Sequence, residues 1–300
     1  MPKKVKIVEV SPRDGLQNEQ HLVSTSVKVE LIDLLVDAGV CYIEAGSFVS
    51  PRWVPQMANS DDVLRTVARR KGVVFSALTP NLQGFNIATA AGVDEVAIFA
   101  TASESFSKKN INCSIDESLK RFEAVLEASI AKKILVRAYI SCVAGCPYEG
   151  YVGPQKVAKL AARLYEMGCY EVSLGDTIGI GTPDVITRLI ENVAESIPIY
   201  AIAVHMHDTY GQALANIYTA LLMGVAVIDS SVSGLGGCPY VKNSEDISAS
   251  GNVATEDLVY MLNGLGIEHG INLEKIIKAG RFISMKLGKD SGSKVSIALT

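Results

Sequence analysis

The sequence has no apolar run long enough to cross a bilayer and no excess of basic residues. A membrane-spanning helix needs about 20 consecutive apolar residues, and no segment of the 300 residues provides them. The formal charge is −4, whereas proteins that bind nucleic acid usually present a basic face. With 48% hydrophobic and 20% charged residues, we expect a soluble globular protein with a large core, and neither a membrane nor a nucleic acid as its partner.

Cysteine is sparse and shows no metal-binding spacing. The chain has six cysteines without a C-x-x-C pair, and the closest two are Cys142 and Cys146. This excludes a zinc finger and favours reduced thiols over a disulfide scaffold. The N-terminal segment MPKKVKIVEV has neither the apolar stretch of a signal peptide nor an Arg-rich presequence. We therefore expect no targeting segment in this chain, and a cytoplasmic (bacterial) protein or a mature protein of the mitochondrial matrix.

One pattern recurs along the chain, in which an amphipathic stretch ends in glycine and a β-branched run follows. It occurs at DAGVCYIEAGS, AAGVDEVAIFA, EMGCYEVSLGD and LMGVAVIDSSV. A glycine at such a position closes a helix in the left-handed conformation, and the run after it predicts a buried strand. Four further apolar runs begin at Lys6, Val73, Ile134 and Tyr200. The sequence therefore has eight strand candidates that alternate with helical segments.

Eight β/α units in roughly 250 residues are typical of a TIM barrel. We predict an α/β fold in which a single (β/α)8 barrel covers about residues 5–265 and a C-terminal helical extension covers about 266–300, so that 1–300 form one catalytic domain. The alternative is a doubly wound open sheet, because the sequence does not show whether the sheet closes.

Polar residues collect where the apolar runs end, which is where barrel enzymes place their chemistry. They are Arg13 and Asp14 at strand one, Glu44 and Ser47 at strand two, Tyr139 at strand five, Ser173 and Asp176 at strand six, and His205 and His207 at strand seven. The loop after strand eight adds the glycine-rich SGLGGCPY, which contains Cys238 and predicts a mobile loop that closes over a substrate. These positions predict one site at the carboxyl end of the barrel.

His205 and His207 are two of only four histidines and are separated by one residue. Because side chains alternate along a strand, both imidazoles point to the same face, and a closed barrel brings Asp14 within their reach. Two imidazoles and a carboxylate suit a divalent cation, Mg²⁺ or Mn²⁺, better than structural zinc, which prefers a closed set of N and S ligands. The alternative is that one histidine is a core residue whose ring nitrogens are hydrogen-bonded, while the other caps the next helix.

Arg13 and Cys238 are the candidate catalytic groups beside this cation. Arg13 supplies a fixed positive charge suited to a developing enolate or carboxylate oxygen, although the triplet RDG is also common in surface turns. A thiol near a cation and an arginine would have a lowered pKa and would exchange protons near neutral pH. The basic segment SKKNIN, which we place in a short loop after strand four, either meets a phosphorylated ligand or forms a solvated turn.

Several of these motifs occur together in one known family. They are KIVEVSPRDGLQNE, SFVSPRWVPQM, LTPN, KKNINCS, GCPYEG, LGDTIGIGTP, HMHDTYGQALAN, GLGGCPY and ATEDLVYML. Over nearly its whole length the chain resembles the 3-hydroxy-3-methylglutaryl-CoA lyases of the metal-dependent lyase and Claisen-condensing barrel superfamily. RDG and HxHD alone identify only the superfamily, whereas the cysteine loop GLGGCPY narrows the resemblance to the lyase.

The resemblance implies a homodimer that cleaves a CoA thioester, 3-hydroxy-3-methylglutaryl-CoA, to acetyl-CoA and acetoacetate in leucine degradation and ketone-body formation. The metal ligands that it implies are Asp14, His205, His207 and Asn252. It gives Arg13 the role of stabilising the enolate, Cys238 that of the acid/base of the loop, and the region of Asp14 and His205 that of the base. The positions that match the surroundings of cation and substrate are Glu44, Ser47, Tyr139, Ser173, Asp176 and Glu256.

The join between GCPY and SGN departs from the family. Here it reads VKNSEDISA, longer and more acidic than the family's short glycine-containing linker, and we expect the added residues to loop out so that Cys238 and Asn252 both reach the site. Two alternatives remain open. One is a related condensing enzyme, such as an isopropylmalate or homocitrate synthase, which lacks this cysteine loop. The other is a catalytically silent barrel that serves as a scaffold.

Overall fold

The computed structural model describes residues 1–237 and 251–299. Cys238 and the acidic join therefore lie outside the described residues, together with the predicted mobile loop beyond Gly237.

Eight parallel strands form a closed barrel. They are β1 (Lys6–Glu9), β2 (Tyr42–Ser47), β3 (Val74–Leu78), β4 (Glu95–Thr101), β5 (Leu135–Ser141), β6 (Glu171–Asp176), β7 (Ile202–Met206) and β8 (Val227–Ser230). Neighbours in the barrel follow the order of the chain, and β1 closes the ring against β8 with Ile7 opposite Ile228. The predicted (β/α)8 barrel is confirmed, and the alternative of an open sheet is wrong.

Helices follow the strands on the outside of the barrel. They are α1 (Thr25–Asp37), α2 (Ser60–Thr66), α3 (Leu82–Ala90), α4 (Glu104–Ile111), α5 (Ile115–Lys132), α6 (Pro154–Glu166), α7 (Pro183–Ala194), α8 (Ala213–Leu222), α9 (Thr255–Leu265), α10 (Leu273–Leu287) and α11 (Lys294–Ala298). The last two come after the helix that completes the barrel, which confirms the C-terminal helical extension. A small antiparallel pair, Gly145–Cys146 with Gly150–Tyr151, lies in the loop after β5.

Local sequence signals account for the helix ends. The four glycines before the strands have positive φ angles between 87° and 110°, a conformation that favours glycine. Ser114 and Glu117 form the capping box at the start of α5, with the serine hydroxyl accepting from the backbone N–H of the glutamate at 3.2 Å. Thr182 and Pro183 open α7 as expected, although the threonine side chain makes no capping hydrogen bond.

The alternation of side chains along the strands separates two environments. In β7, Ile202, Val204 and Met206 belong to the main apolar core between strands and helices, whereas Ala203 and His205 point into the barrel. The barrel interior thus carries polar groups as well as small apolar clusters, and this is where the candidate site lies. Within the described part of the chain, no helix has the length and apolar character needed to span a membrane.

Candidate active site

A π-helical turn directly after β1 carries Arg13 and Asp14. The turn spans Ser11–Gly15, and such turns are rare and often found at functional sites. It places two adjacent charged side chains at the carboxyl end of the barrel, where Arg13 Nη1 lies 2.7 Å from Asp14 Oδ1. The turn therefore presents a carboxylate and a guanidinium side by side.

Asp14, His205 and His207 converge at the mouth of the barrel. The Nε2 atoms of the two histidines are 3.3 Å apart, and His205 Nε2 lies 3.8 Å from Asp14 Oδ2. The potential ligand atoms of the three residues all lie within 4.8 Å of one another. The structure thus brings together the three side chains that we predicted as metal ligands, and a single cation could contact all three.

Asn252 completes this group of side chains. Its Nδ2 donates to Asp14 Oδ2 at 2.8 Å and to the carbonyl oxygen of Leu235 at 3.0 Å. Its Oδ1 is buried and has no hydrogen-bond partner among the described residues. A buried acceptor of this kind normally has a partner, and a hard divalent cation is one that fits an amide oxygen.

The charges around Asp14 favour its ionised form. Burial alone would raise the pKa of Asp14, but the Arg13 guanidinium and then His205 and His207 outweigh burial and lower this pKa to about 2. Arg13 is fixed on its other side by Glu44, with Nε 2.5 Å from Oε2. The site therefore holds a carboxylate that stays charged at neutral pH beside an arginine in a fixed orientation.

A second carboxylate, Asp229 in β8, supports His205 from the barrel interior. Its Oδ2 lies 3.2 Å from His205 Nδ1 and accepts from the hydroxyl of Ser173 at 2.8 Å. Arg137 in β5 donates to both oxygens of Asp229, at 2.6 and 3.1 Å. Burial would raise the pKa of Asp229, but Arg137 and then His205 hold it well below its usual range. With Nδ1 engaged in this way, Nε2 of His205 faces Asp14.

The charged network continues away from the site. Arg137 Nε donates to Glu171 Oε1 at 2.6 Å, and Lys6 Nζ lies 2.8 Å from Glu171 Oε2. Asp229, Arg137 and Glu171 are not among the residues predicted from the sequence. The available signal was a charged residue inside an apolar strand, as in VIDS and LVRAYIS, because a charge there requires a partner.

The other predicted residues have different surroundings. The Tyr139 ring contacts both Arg13, whose Cζ is 5.3 Å from the ring centroid, and His205, whose ring centroid is 5.8 Å away. Asp176 accepts from the backbone N–H groups of residues 180 and 181 at 3.2 and 2.8 Å, and burial raises its pKa to about 6. The Ser47 hydroxyl is buried without a hydrogen-bond partner among the described residues.

One of the predicted residues has its polar contacts outside this cluster. Glu256, near the start of α9, is fully buried and accepts from the backbone N–H of Ser233. Cys238 lies outside the described residues, so its predicted role stays a prediction.

A cavity of about 1030 Å³ reaches this group of side chains. Arg13, Asp14 and His205 contribute to its wall, as do the basic side chains of Lys109 and Arg121. Apolar residues also line it, among them Leu22, Trp53, Leu78, Phe99 and Phe106. The cavity therefore joins a polar end, at the metal-type cluster, to a basic and partly apolar surface.

The basic segment SKKNIN does not form the loop that we expected. Residues 104–111 form α4, because the Ser103 hydroxyl accepts from the N–H of Phe106 at 3.1 Å and caps the helix. The helix ends at Asn112, which adopts a left-handed φ of 50°. The exposed Lys108 and Lys109 in its last turn border the cavity.

Comparisons with known proteins agree with the fold and identify a family. The family model HMGL-like matches residues 4–283. The chain is 60% identical over 297 residues to the mitochondrial hydroxymethylglutaryl-CoA lyase of Bos taurus, covering 99% of this chain and 90% of that protein. Other relatives, at 58% identity, are named as mitochondrial and as cytoplasmic lyases.

Solved structures are similar as well. A hydroxymethylglutaryl-CoA lyase from Pseudomonas aeruginosa matches with a TM-score of 0.96 and 57% identity, covering 100% of this chain and 98% of that one. An HMG-CoA lyase from Acinetobacter baumannii, solved in complex with coenzyme A and 3-methylmalate, matches with a TM-score of 0.93 and 33% identity, covering 99% and 95% of the two chains. The chain therefore belongs to the HMGL-like family.

Proposed function

We propose that this chain is a carbon–carbon lyase that cleaves 3-hydroxy-3-methylglutaryl-CoA to acetyl-CoA and acetoacetate with the help of a divalent cation. The observation that carries the proposal is the convergence of Asp14, His205 and His207 beside Arg13 at the end of a cavity. Full-length similarity to proteins named as hydroxymethylglutaryl-CoA lyases supports the reaction and the substrate.

The donor set fits Mg²⁺ or Mn²⁺. Asp14, His205 and His207 would hold the cation, and the buried Oδ1 of Asn252 would supply a fourth ligand. Oxygen donors mixed with imidazole suit these hard cations and leave no closed tetrahedral set of the kind that structural zinc prefers. When bound, such a cation lowers the pKa of the tertiary hydroxyl of the substrate.

The residues of the site then account for the remaining steps. A base in the region of Asp14 and His205 takes the proton of the tertiary hydroxyl, and the oxygen forms the ketone of acetoacetate as the carbon–carbon bond breaks. The electron pair of that bond remains on the leaving fragment as a thioester enolate. The Arg13 guanidinium, held by Glu44, offsets the enolate charge. A proton, which we assign to Cys238, completes acetyl-CoA.

The rest of the cavity fits a CoA thioester. Lys108, Lys109 and Arg121 place positive charge along its wall, and phosphate groups are held by such side chains. We further propose that the protein acts as a homodimer in leucine degradation and ketone-body formation. Its proposed location is the bacterial cytoplasm or the mitochondrial matrix; the relatives include proteins named as mitochondrial and as cytoplasmic.

The test is acetoacetate formation from 3-hydroxy-3-methylglutaryl-CoA with EDTA, and then with Mg²⁺ or Mn²⁺ restored. We expect product only with the metal. His205→Gln should lower kcat/KM by roughly 100-fold or more, because even groups behind metal ligands account for about 10–100-fold. His21→Gln is the matched control, since this exposed histidine lies outside the cluster.

Other outcomes would contradict the proposal. Release of free CoA from acetyl-CoA and a 2-oxo acid, without acetoacetate, would identify a condensing enzyme. If the protein showed neither activity in the presence of either metal, it would be a catalytically silent barrel.

A further inference from the structure

Ser233, in the turn after β8, lies where several segments of the chain meet. Its backbone N–H lies 3.0 and 2.9 Å from the two carboxylate oxygens of Glu256. Its hydroxyl oxygen accepts from Ser284 at 2.9 Å and from Ser291 at 3.2 Å. Its carbonyl oxygen accepts from the N–H of Gly292 at 2.9 Å. We call these contacts the Ser233 junction; three of its members belong to the C-terminal extension.

Two glycines of the extension, Gly280 and Gly292, lie so close to this junction that a side chain at either position would clash with it. A Cβ at Gly280 in α10 would lie 2.0 Å from Glu256 Oε1 and 2.8 Å from Ser233 Oγ. A Cβ at Gly292 would lie 2.8 Å from the Ser233 carbonyl oxygen. Ser233 and Glu256 are 3% and 0% exposed, so water does not replace these contacts. The junction is therefore a close-packed connection between the extension and the barrel.

The junction leads directly to the proposed ligand Asn252. Two residues after Ser233, the carbonyl oxygen of Leu235 accepts from the Asn252 side chain at 3.0 Å. The next residue, Gly236, passes so near that a Cβ there would lie 2.5 Å from Asn252 Nδ2. Asp14 accepts from the same nitrogen at 2.8 Å. With Nδ2 held in this way, the orientation of the amide, and hence of Oδ1, depends on the position of the segment 233–236.

We infer that the C-terminal extension positions the metal centre: Ser284 and Gly280 fix Ser233, and the segment that follows orients the amide of Asn252. This inference rests on the metal centre proposed above. Ser284 and Gly280 are positioning residues, since neither is among the residues that line the cavity or the candidate ligands within the described chain. The extension would then act in metal binding as well as in stability.

The test is the affinity of the metal-free protein for Mn²⁺, measured by the electron paramagnetic resonance signal of free Mn²⁺. Ser284→Ala removes one hydrogen bond from the junction and should raise the Kd for Mn²⁺ by about 5-fold, the scale of one hydrogen bond. Ser129→Ala is the matched control, because Ser129 is a buried helical serine, 4% exposed, that donates at 2.7 Å to its own helix at Leu126. The control should leave the Kd unchanged even where it lowers the melting temperature.

Gly280→Ala is expected to raise the Kd for Mn²⁺ further, because the added methyl group displaces Glu256 and Ser233. Its control is Gly264→Ala in α9, where a Cβ would meet nothing within 4 Å. If Gly280→Ala does not fold, the Kd of Ser284→Ala for Mn²⁺ alone tests the inference. An unchanged Kd in Ser284→Ala, or an equal change in Ser129→Ala, would overturn the inference while leaving the metal centre in place. Absence of Mn²⁺ binding by the wild-type protein would instead remove the metal centre itself, and this inference with it.

Discussion

Glu256 is a carboxylic acid enclosed by protein on all sides, and its titration links pH to stability. Burial raises its pKa to about 8, the N–H of Ser233 opposes that rise in part, and the nearby negative charge of Glu9 adds to it. The unfolded chain would release this proton near the ordinary value of 4.5. Between pH 4.5 and 8 the folded protein therefore keeps a proton that the unfolded chain loses. The contribution of Glu256 to the free energy of unfolding therefore falls as the pH rises through this window.

Glu256→Gln removes this titration while keeping the shape of the side chain. We expect the free energy of unfolding of the wild-type protein, relative to that of the variant, to fall with rising pH between 5 and 8 by at most about 1.4 kcal/mol per pH unit. Urea unfolding at a series of pH values measures this difference. Glu191→Gln is the control, since Glu191 is exposed on α7. Parallel pH curves for wild type and Glu256→Gln would show that Glu256 is already ionised in the folded protein.

At the scale of elements, the interior of the barrel is crossed by one charged network that ties four strands together. Asp229 of β8 contacts His205 of β7 and Arg137 of β5, and Arg137 in turn contacts Glu171 of β6. Each of these charges has been removed from water, so each depends on its partner. The same network that stabilises the strands therefore also sets the orientation of a candidate metal ligand.

Asp229→Asn tests both roles of this network. Loss of the charge leaves Arg137 without its two-point partner and should lower the free energy of unfolding by about 3 kcal/mol. It also weakens the hold on His205 Nδ1, so we expect the Kd for Mn²⁺ to rise by roughly 10-fold or more.

Asp184→Asn is the control, because Asp184 pairs with Arg188 at 2.7 Å on the surface with 72% of its side chain exposed. An exposed pair contributes less than about 1 kcal/mol. If Asp229→Asn lost stability but kept its Mn²⁺ affinity, Asp229 would have only a structural role.

Elements were more predictable than the contacts between them. The strands could be predicted because strands of a parallel barrel are apolar on the side that faces the helices, and because a glycine with positive φ ends the helix before several of them. The convergence of Asp14 with His205 followed from barrel closure. The pairing of Arg137 with Asp229 did not, because these residues are 92 positions apart and the sequence does not show which interior side chains meet across a closed ring.

The helix at SKKNIN and the contacts of Glu256 were not predicted for the same kind of reason. The polar residues of SKKNIN favour a loop, whereas Ser103 caps a helix there whose last turn carries the lysines. The environment of Glu256 was not predicted either, since its partner Ser233 is 23 positions away. In both cases the deciding interaction is a hydrogen bond between a side chain and the backbone, which hydrophobic patterns do not report.

At the scale of the whole molecule, the charge of the cavity wall is opposite to that of the chain. The formal charge is −4, yet Lys108, Lys109 and Arg121 border the cavity that leads to Asp14. Lys109 Nζ lies 3.5 Å from the ring centroid of Tyr148, which orients the ammonium group by a cation–π interaction. An anionic CoA thioester would therefore meet positive charge locally on a protein that repels anions at long range.

Neutralising these lysines should weaken binding of the substrate without altering the chemistry, because they lie on a helix at the cavity wall rather than in the cluster around Asp14. For the double variant Lys108→Gln/Lys109→Gln we expect KM for 3-hydroxy-3-methylglutaryl-CoA to rise roughly 5- to 30-fold, the scale of one or two exposed charge-assisted hydrogen bonds. The kcat should stay within about 2-fold, since uniform binding changes KM alone.

Added KCl should raise the wild-type KM toward that of the variant, because salt screens exposed charges. Lys120→Gln, an equal change of charge at an exposed position on α5 outside the cavity, should leave KM unchanged. If the double variant instead lost kcat at constant KM, the lysines would act on the reacting groups and the cavity would bind its ligand in another orientation.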